Sequence, residues 1–352
     1  MIHEYAAIFG HSPDAVIIIQ DGVIIYANAA AEERVGARRE MAASALFPVN
    51  LLESCEEKLS CALTVNGRGY SAVAALTGDT RIITLYDMEK DDEAKRLMNS
   101  IGARLKERVA EIKMATGILT PYVENCGDEK VMRYSRVISK AGYVLWRMVG
   151  NMTYLSGGDS RIFEPENTDL AAIAGDIANS VPVFVGKNAP HIRFAAETPG
   201  MIVCCDKGKI ELALLQLISN SVKNTGPDGE ITVTVKKIRQ CAVIEVADNG
   251  KGIKESELSR VWNIATGGDG PEHGIGTGLA IVQSIARLHG GMAMLISKPG
   301  CGTRVSILLP VKSDMDNTLC SPGIKYDCGL ENIMVQLADV IPFDHFSEKF
   351  MD

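Results

Sequence analysis

Three polar side chains in ELALLQLISNSVKNT, Gln216, Asn220 and Lys223, stand at i, i+4 and i+7, a spacing that puts them on one face of a helix. Leu212, Leu215 and Ile218 point elsewhere, toward a core. A polar stripe on an apolar helix is ordinarily a solvated face, so its meaning depends on what comes next. In VADNGKGI, Asp248 ends a strand and Gly250 and Gly252 turn the chain away. A carboxylate at a strand end beside permissive backbone can accept a hydrogen bond from an amine held in a pocket. Next, Gly274, Gly276 and Gly278 fall at every second position of HGIGTGLAIVQSIARLHGG. Free backbone N–H groups at a helix start, approached without Cβ obstruction, favour phosphate; a plain flexible connector is the alternative. Finally, GCGTRVSILLP offers Thr303 after two glycines at the start of a last strand.

These residues need elements to hold them. Leu279, Val282, Ile285 and Leu288 recur at three-residue steps, predicting a helix that Gly290 and Gly291 stop. Helices are also expected over Asn167 to Ser180 and Lys207 to Asn224, and strands over Ile231 to Val235 and Ala242 to Val246. A hairpin pair, MAMLIS and TRVSILLP, follows. From Glu164 to Pro310 this spells an α/β domain with one helical layer on a mixed sheet. Two familiar phosphate sites are excluded: TGGDGPEH rather than a strand precedes the glycines, and no G-x-x-x-x-G-K-[ST] occurs.

Two further regions lie upstream. AVIIIQDGVIIYA is a pair of apolar β-branched runs joined by Asp21-Gly22, a preferred hairpin dipeptide. The helical patch AAAEERVG and the strands LTVNGRGYSAVAA and TRIITLYDM follow, so residues 1–88 read as an antiparallel sheet flanked by short helices. Residues 89–126 and 128–156 are two long helical patterns. The first repeats Leu97, Ile101, Leu105, Val109, Ile112 and Leu119; the second repeats Val131, Tyr134, Ile138, Leu145, Val149 and Met152. Two such helices are half a bundle and leave an apolar stripe that a second chain would cover, so a homodimer through residues 89–157 is expected.

The order N-x-x-K-N-T (Asn220, Lys223, Asn224), D-x-G-x-G-I, G-x-G-x-G-L (ending at Leu279) and G-x-G-T resembles the ATP-binding domain shared by histidine kinases, DNA gyrase, heat-shock chaperones and mismatch-repair ATPases. The likeness covers roughly residues 160 to 310, and residues 1–88 resemble a PAS sensor domain. The resemblance implies a multidomain α+β protein. It would comprise a PAS-like antiparallel sheet domain (1–88), a two-helix dimerisation hairpin (89–157) and an α/β sandwich of the histidine kinase-like ATPase type (160–312), with a C-terminal tail (313–352) outside the resemblance. It implies ATP and Mg²⁺ as ligands, with Asn220 as the metal ligand and Lys223 on phosphate, Asn224 lying beside them. It makes Asp248 the reader of the adenine amino group, Gly250 and Gly252 the turn beside it, and Thr303 the support of that aspartate. Gly274, Gly276 and Gly278, with Leu279, would form the hinge of an ATP lid, NIATGGDGPEH, which Trp262 precedes.

ATPases of this superfamily generally place a glutamate one turn before the Mg²⁺ asparagine; here Gln216 stands there, and an amide is no base near neutral pH. The histidine kinase branch therefore fits better, with a response regulator as partner. Its acceptor motif is matched best by GARLKERV, but Ala103 stands at the histidine position and Arg104 at the neighbouring acid. No histidine occurs between His11 and His191. A sensor histidine kinase-like phosphotransfer protein is thus expected, the alternative being a switch that uses ATP to set helix geometry and a partner without transfer.

Composition limits the rest. A formal charge of -8 over 352 residues argues against a general nucleic-acid binder. No apolar run reaches membrane-span length, no secretory leader is evident, and nine cysteines without C-x-x-C read as reduced thiols, so a cytoplasmic protein is expected. In the tail, Leu330, Ile333, Met334, Leu337 and Ile341 form an apolar stripe on a short helix, expected to dock on its own chain, the alternative being a surface for a partner.

Overall fold

The computed structural model of the chain describes residues 2–88, 92–157, 163–186, 189–263, 276–311 and 330–346. Strands β1 (Ala15–Gln20) and β2 (Val23–Ala27) form the hairpin expected from Asp21-Gly22. Both turn residues are left-handed, at φ 52° and 75°, as a two-residue loop between right-twisted strands requires. Strands β3 (Lys58–Val65), β4 (Arg68–Thr77) and β5 (Thr80–Asp87) complete an antiparallel sheet in the order β2-β1-β5-β4-β3. Short helices α1 (Ile2–Phe9), α2 (Ala29–Val35) and α3 (Val49–Leu52) flank it. The Asn28 side chain caps α2 and also accepts from the Val16 N–H, tying the helix start to β1.

Helices α4 (Asp92–Asn125) and α5 (Glu129–Leu155) are antiparallel, with Asp128 capping the second. A Cβ on Gly102 would stand 2.9 Å from the Thr153 hydroxyl, so the two helices approach closely there. Each buries one stripe, Val109 and Val149 included. Ile101, Leu105, Ile112, Leu119, Val131, Tyr134, Ile138 and Leu145 remain exposed, because two helices cannot cover each other's outer faces.

The second half begins with β6 (Glu166–Asp169), α6 (Leu170–Val185), β7 (His191–Ala196), β8 (Ile202–Cys205) and α7 (Lys207–Asn224). It continues with β9 (Glu230–Ile238), β10 (Cys241–Asp248), α8 (Gly278–Leu288), β11 (Met292–Lys298) and β12 (Gly302–Pro310). The sheet order is β11-β12-β10-β9-β7, with β7 parallel to β9, and α6, α7 and α8 pack on one face. The helix expected from Asn167 starts later. Asn167 pairs with Cys204 in the β6–β8 ladder, and the Asp169 carboxylate accepts from the Ala171 and Ala172 N–H groups, fixing Leu170 as the first helical residue.

The two sheets are one. β3 pairs antiparallel with β11 through Ser60–Leu295, Cys61–Met294 and Ala62–Ala293, giving ten continuous strands. Trp262, fully buried, donates from Nε1 to the Ser60 hydroxyl at 3.0 Å, which donates in turn to the Leu258 carbonyl at 2.9 Å. Lys58 pairs with Glu255 across the same seam. Val243, Met292, Met294 and Leu308 present the helix-free face of the second sheet to the core of the first.

Helix α9 (Leu330–Gln336) and the turns running on to Phe346 dock on α5 and α7. Met334, Leu337, Ala338, Ile341 and Phe346 are buried in the common core, and Phe346 lies against the Tyr143 ring at 5.4 Å. The helix is shorter than the apolar stripe suggested: Leu337 and Ile341 sit in the turns beyond it. No helix among the described residues is long and apolar enough to cross a membrane.

Candidate functional site

Three elements converge where the sequence placed its polar residues. Asp248 closes β10 opposite Thr303 of β12. Its Oδ1 accepts from the N–H groups of Gly250 (3.0 Å) and Thr303 (3.2 Å), and its Oδ2 accepts from the Ser221 hydroxyl of α7 (3.0 Å). Thr303 thus supports the carboxylate through its main chain; its hydroxyl lies 2.9 Å from that of Ser297. Gly250 packs so tightly that a Cβ would run into the Asn224 carbonyl. At Gly252 the backbone is left-handed, φ 66°, and a Cβ would meet the Lys298 carbonyl.

The polar face of α7 is not a solvated surface. Gln216 is fully buried, and Asn220, Lys223 and Asn224 are half-buried, with the Asn224 amide donating to the Asn220 carbonyl at 2.7 Å. The start of α8 lies directly on this face: a Cβ on Gly278 would stand 3.0 Å from Asn220 Nδ2 and 3.1 Å from Gln216 Oε1. Gly276 is left-handed at φ 67°, and Leu279 is half-buried against the core. Gly274, His273 and the stretch 264–275, where the lid was expected, lie outside the described residues. Trp262, which precedes that stretch, bonds Ser60 of β3.

A second cluster adjoins the first, and sequence reasoning missed it. Arg147 of α5, 7% exposed, donates from Nη2 to Gln216 Oε1 (3.2 Å) and from Nη1 to Asp339 Oδ2 (2.9 Å). Asn151, one turn on, accepts from Gln216 Nε2 (3.3 Å) and donates to the Thr277 hydroxyl (3.2 Å), the residue preceding α8. From the tail, Gln336 Oε1 accepts from Gln216 Nε2 at 2.8 Å, and Asp339 takes the Lys223 ammonium as an ion pair. Burial lowers the pKa of Lys223, as does neighbouring Arg147, while Asp339 opposes both. Burial alone would raise the Asp339 carboxyl, but Arg147, Lys223 and Lys140 outweigh it and hold it below its ordinary value. The signal available in the sequence was Arg147 and Asn151, four apart inside the apolar run YVLWRMVGNMTYL.

Residues 205–313 match the family model of the histidine kinase-, DNA gyrase B- and HSP90-like ATPase, and residues 3–64 match a PAS domain model. The chain is 38% identical over 189 residues to histidine protein kinase DivJ of Caulobacter vibrioides, covering 52% of this chain and 32% of that protein. It is 23% identical over 349 residues to sensor histidine kinase WalK of Bacillus subtilis, covering 89% and 56%. The fold is similar to that of full-length ShkA solved in complex with AMPPNP, at a TM-score of 0.52 and 19% identity, over 62% of this chain and 46% of that one. A one-layer α/β sandwich of this kind is a histidine kinase-like ATPase domain. The chain therefore carries a region like these ATPases at 205–313 and a region like PAS domains at 3–64. The chain spans about a third of the length of DivJ and just over half that of WalK.

Proposed function

We propose that this protein binds Mg-ATP between α7, the end of β10 and the start of α8, and uses it in two-component signalling. The observation that carries this reading is the contact of Gly278 with Asn220 and Gln216, which sets a helix start with free N–H groups onto the polar face of α7. The residues fit the ligand. Gly278 lets the start of α8 approach Asn220 and Gln216 as a side chain would not, and Asn220 offers the amide oxygen that a hard cation takes. Asp248, its carboxylate already oriented by two N–H groups and Ser221, has lone pairs left for the adenine amino group. Lys223 would meet phosphate, with Asn224 beside it, and Thr303 holds Asp248. Gly274, Gly276 and Gly278, ahead of Leu279, would serve as the lid hinge. Bound Mg²⁺ would offset phosphate charge.

Gln216 is a poor base and is held by Arg147, Asn151 and Gln336, so transfer to a protein acceptor, then to a response regulator, fits better than hydrolysis. The exposed stripe of α4 and α5 is the face for a second copy, within the division into residues 1–88, 89–157, 160–312 and 313–352. A specific observation favours a second reading, a nucleotide-driven switch without transfer: Ala103, at the acceptor position on α4, is exposed and carries only a methyl group.

Radiolabelled γ-phosphate from Mg-ATP, offered to the full chain with Asn220→Ala as control, separates the two. Label retained by the native chain and absent from the control means a kinase with an unconventional acceptor. Nucleotide binding without label means the switch. No binding at all sinks both.

A further inference from the structure

The tail contact is placed where it cannot be neutral toward an anion. Asp339 is the only carboxylate, among the described residues, that pairs with Lys223, and it shares Arg147 with Gln216, about two turns away along α7. Its neighbours anchor it firmly. Gln336 bonds Gln216, Lys140 donates to the Ile341 carbonyl at 2.7 Å, His345 Nδ1 lies 2.8 Å from the Phe184 carbonyl, and Phe346 is fully buried. The segment therefore runs across α5 and α7 like a strap, pinned at both ends, with Asp339 on the lysine.

We propose that residues 330–346 form an autoinhibitory strap in which the Asp339 carboxylate occupies the place of a nucleotide phosphate on Lys223. This rests on the nucleotide reading above and adds its regulation. A carboxylate and a phosphate oxygen compete for the same ammonium donors, and two anions against one lysine repel. Nucleotide thus binds only when the strap has let go, and its apparent affinity falls by the fraction of chains in which Lys223 is free. Because Asp339 also holds Arg147, the same displacement removes one of the ties between α5 and α7, the bridge from Arg147 through Asp339 to Lys223. Nucleotide occupancy and docking of the helical hairpin are then two readings of one equilibrium.

The test uses the full chain and a non-hydrolysable ATP analogue with Mg²⁺, its affinity followed by calorimetry. Asp339→Asn removes the charge and leaves Arg147 and Lys223 facing the site, so the analogue should bind about tenfold more tightly or better. Asp339→Glu keeps a carboxylate and should stay near the native value. In the native chain, saturating analogue should raise amide hydrogen exchange across 330–346. Should Asp339→Asn fold poorly, Phe346→Ala loosens the far end of the strap away from the site and should tighten binding in the same direction. Binding that is indifferent to both substitutions, with tail exchange unmoved by the analogue, overturns the strap while leaving the nucleotide site standing. Folded native and Asp339→Asn chains that both ignore the analogue would remove the nucleotide reading and the strap with it.

Discussion

Asp248 and Asp339 are two carboxylates that meet the same helix, α7, and they are built for opposite ends. Asp248 stands at the end of a paired strand, and its partners are two backbone N–H groups and one hydroxyl. None of them is a cation, so its negative charge is oriented but not cancelled. Asp339 sits in a turn of a short segment, and its partners are guanidinium and ammonium groups. Its charge is spent on them. The first arrangement leaves a carboxylate with lone pairs for a further donor; the second neutralises a carboxylate within the fold. Neutral dipoles fix where a carboxylate points, whereas opposite charges decide whether it stays.

The comparison can be broken at its rigid end first. Gly250→Ala drives a methyl group into the Asn224 carbonyl and should cost about 3 kcal/mol in chemical denaturation. A loss below about 1 kcal/mol would mean that the strand end yields, and that Asp248 is not held by it. Asp248→Asn is the next largest. The amide oxygen can keep the Gly250 and Thr303 N–H groups, but the second oxygen becomes a donor. Stability should change by less than about 1 kcal/mol, while affinity for Mg-ATP drops roughly 30-fold, about 2 kcal/mol. Equal affinity would show that this carboxylate reads no amine.

Acid gives the smallest and most graded effect, and it sharpens the contrast at the tail. The folded-state pKa of Asp339 is depressed, so its contribution to docking is fully present above the ordinary carboxylate value and is lost as pH falls through the folded one. The charges facing it are Arg147 and Lys140 of α5 and Lys223 of α7, none of which loses its proton in acid. Hydrogen exchange in 330–346, corrected for intrinsic rate, should therefore be level from neutrality down to about pH 4 and rise below it. A release already complete at pH 6 would assign the docking to a different group.

What the sequence disclosed and what it withheld divide along physical lines. The face shared by Gln216, Asn220 and Lys223 follows from helix period alone, and Asp21-Gly22 sets its own turn. The close approach at Gly250, Gly252 and Gly278 was legible because only glycine fits there. The α6 start was misplaced by three residues although Asp169, an ordinary capping residue, stood in plain view. That Gln216 is buried rather than wetted could not be read from its own helix, since Arg147, Asn151 and Gln336 reach it from 65 to 120 residues away. The β3–β11 pairing was hidden for the same reason: three residue pairs join strands more than two hundred positions apart, with no local pattern to announce them.

That pairing has a consequence for how the protein keeps to itself. A lone five-stranded sheet offers an unsatisfied row of N–H and C=O groups along each outer strand, and other chains can add to it. Laying β3 against β11 withdraws one such row from each half, so β2 and β7 are left as the outermost strands of the ten. At β2 the row is interrupted as well, by the bridge from Val23 to Ala42. The two halves of the sheet therefore shield each other from aggregation, and loosening the seam would bare two adhesive strands at once.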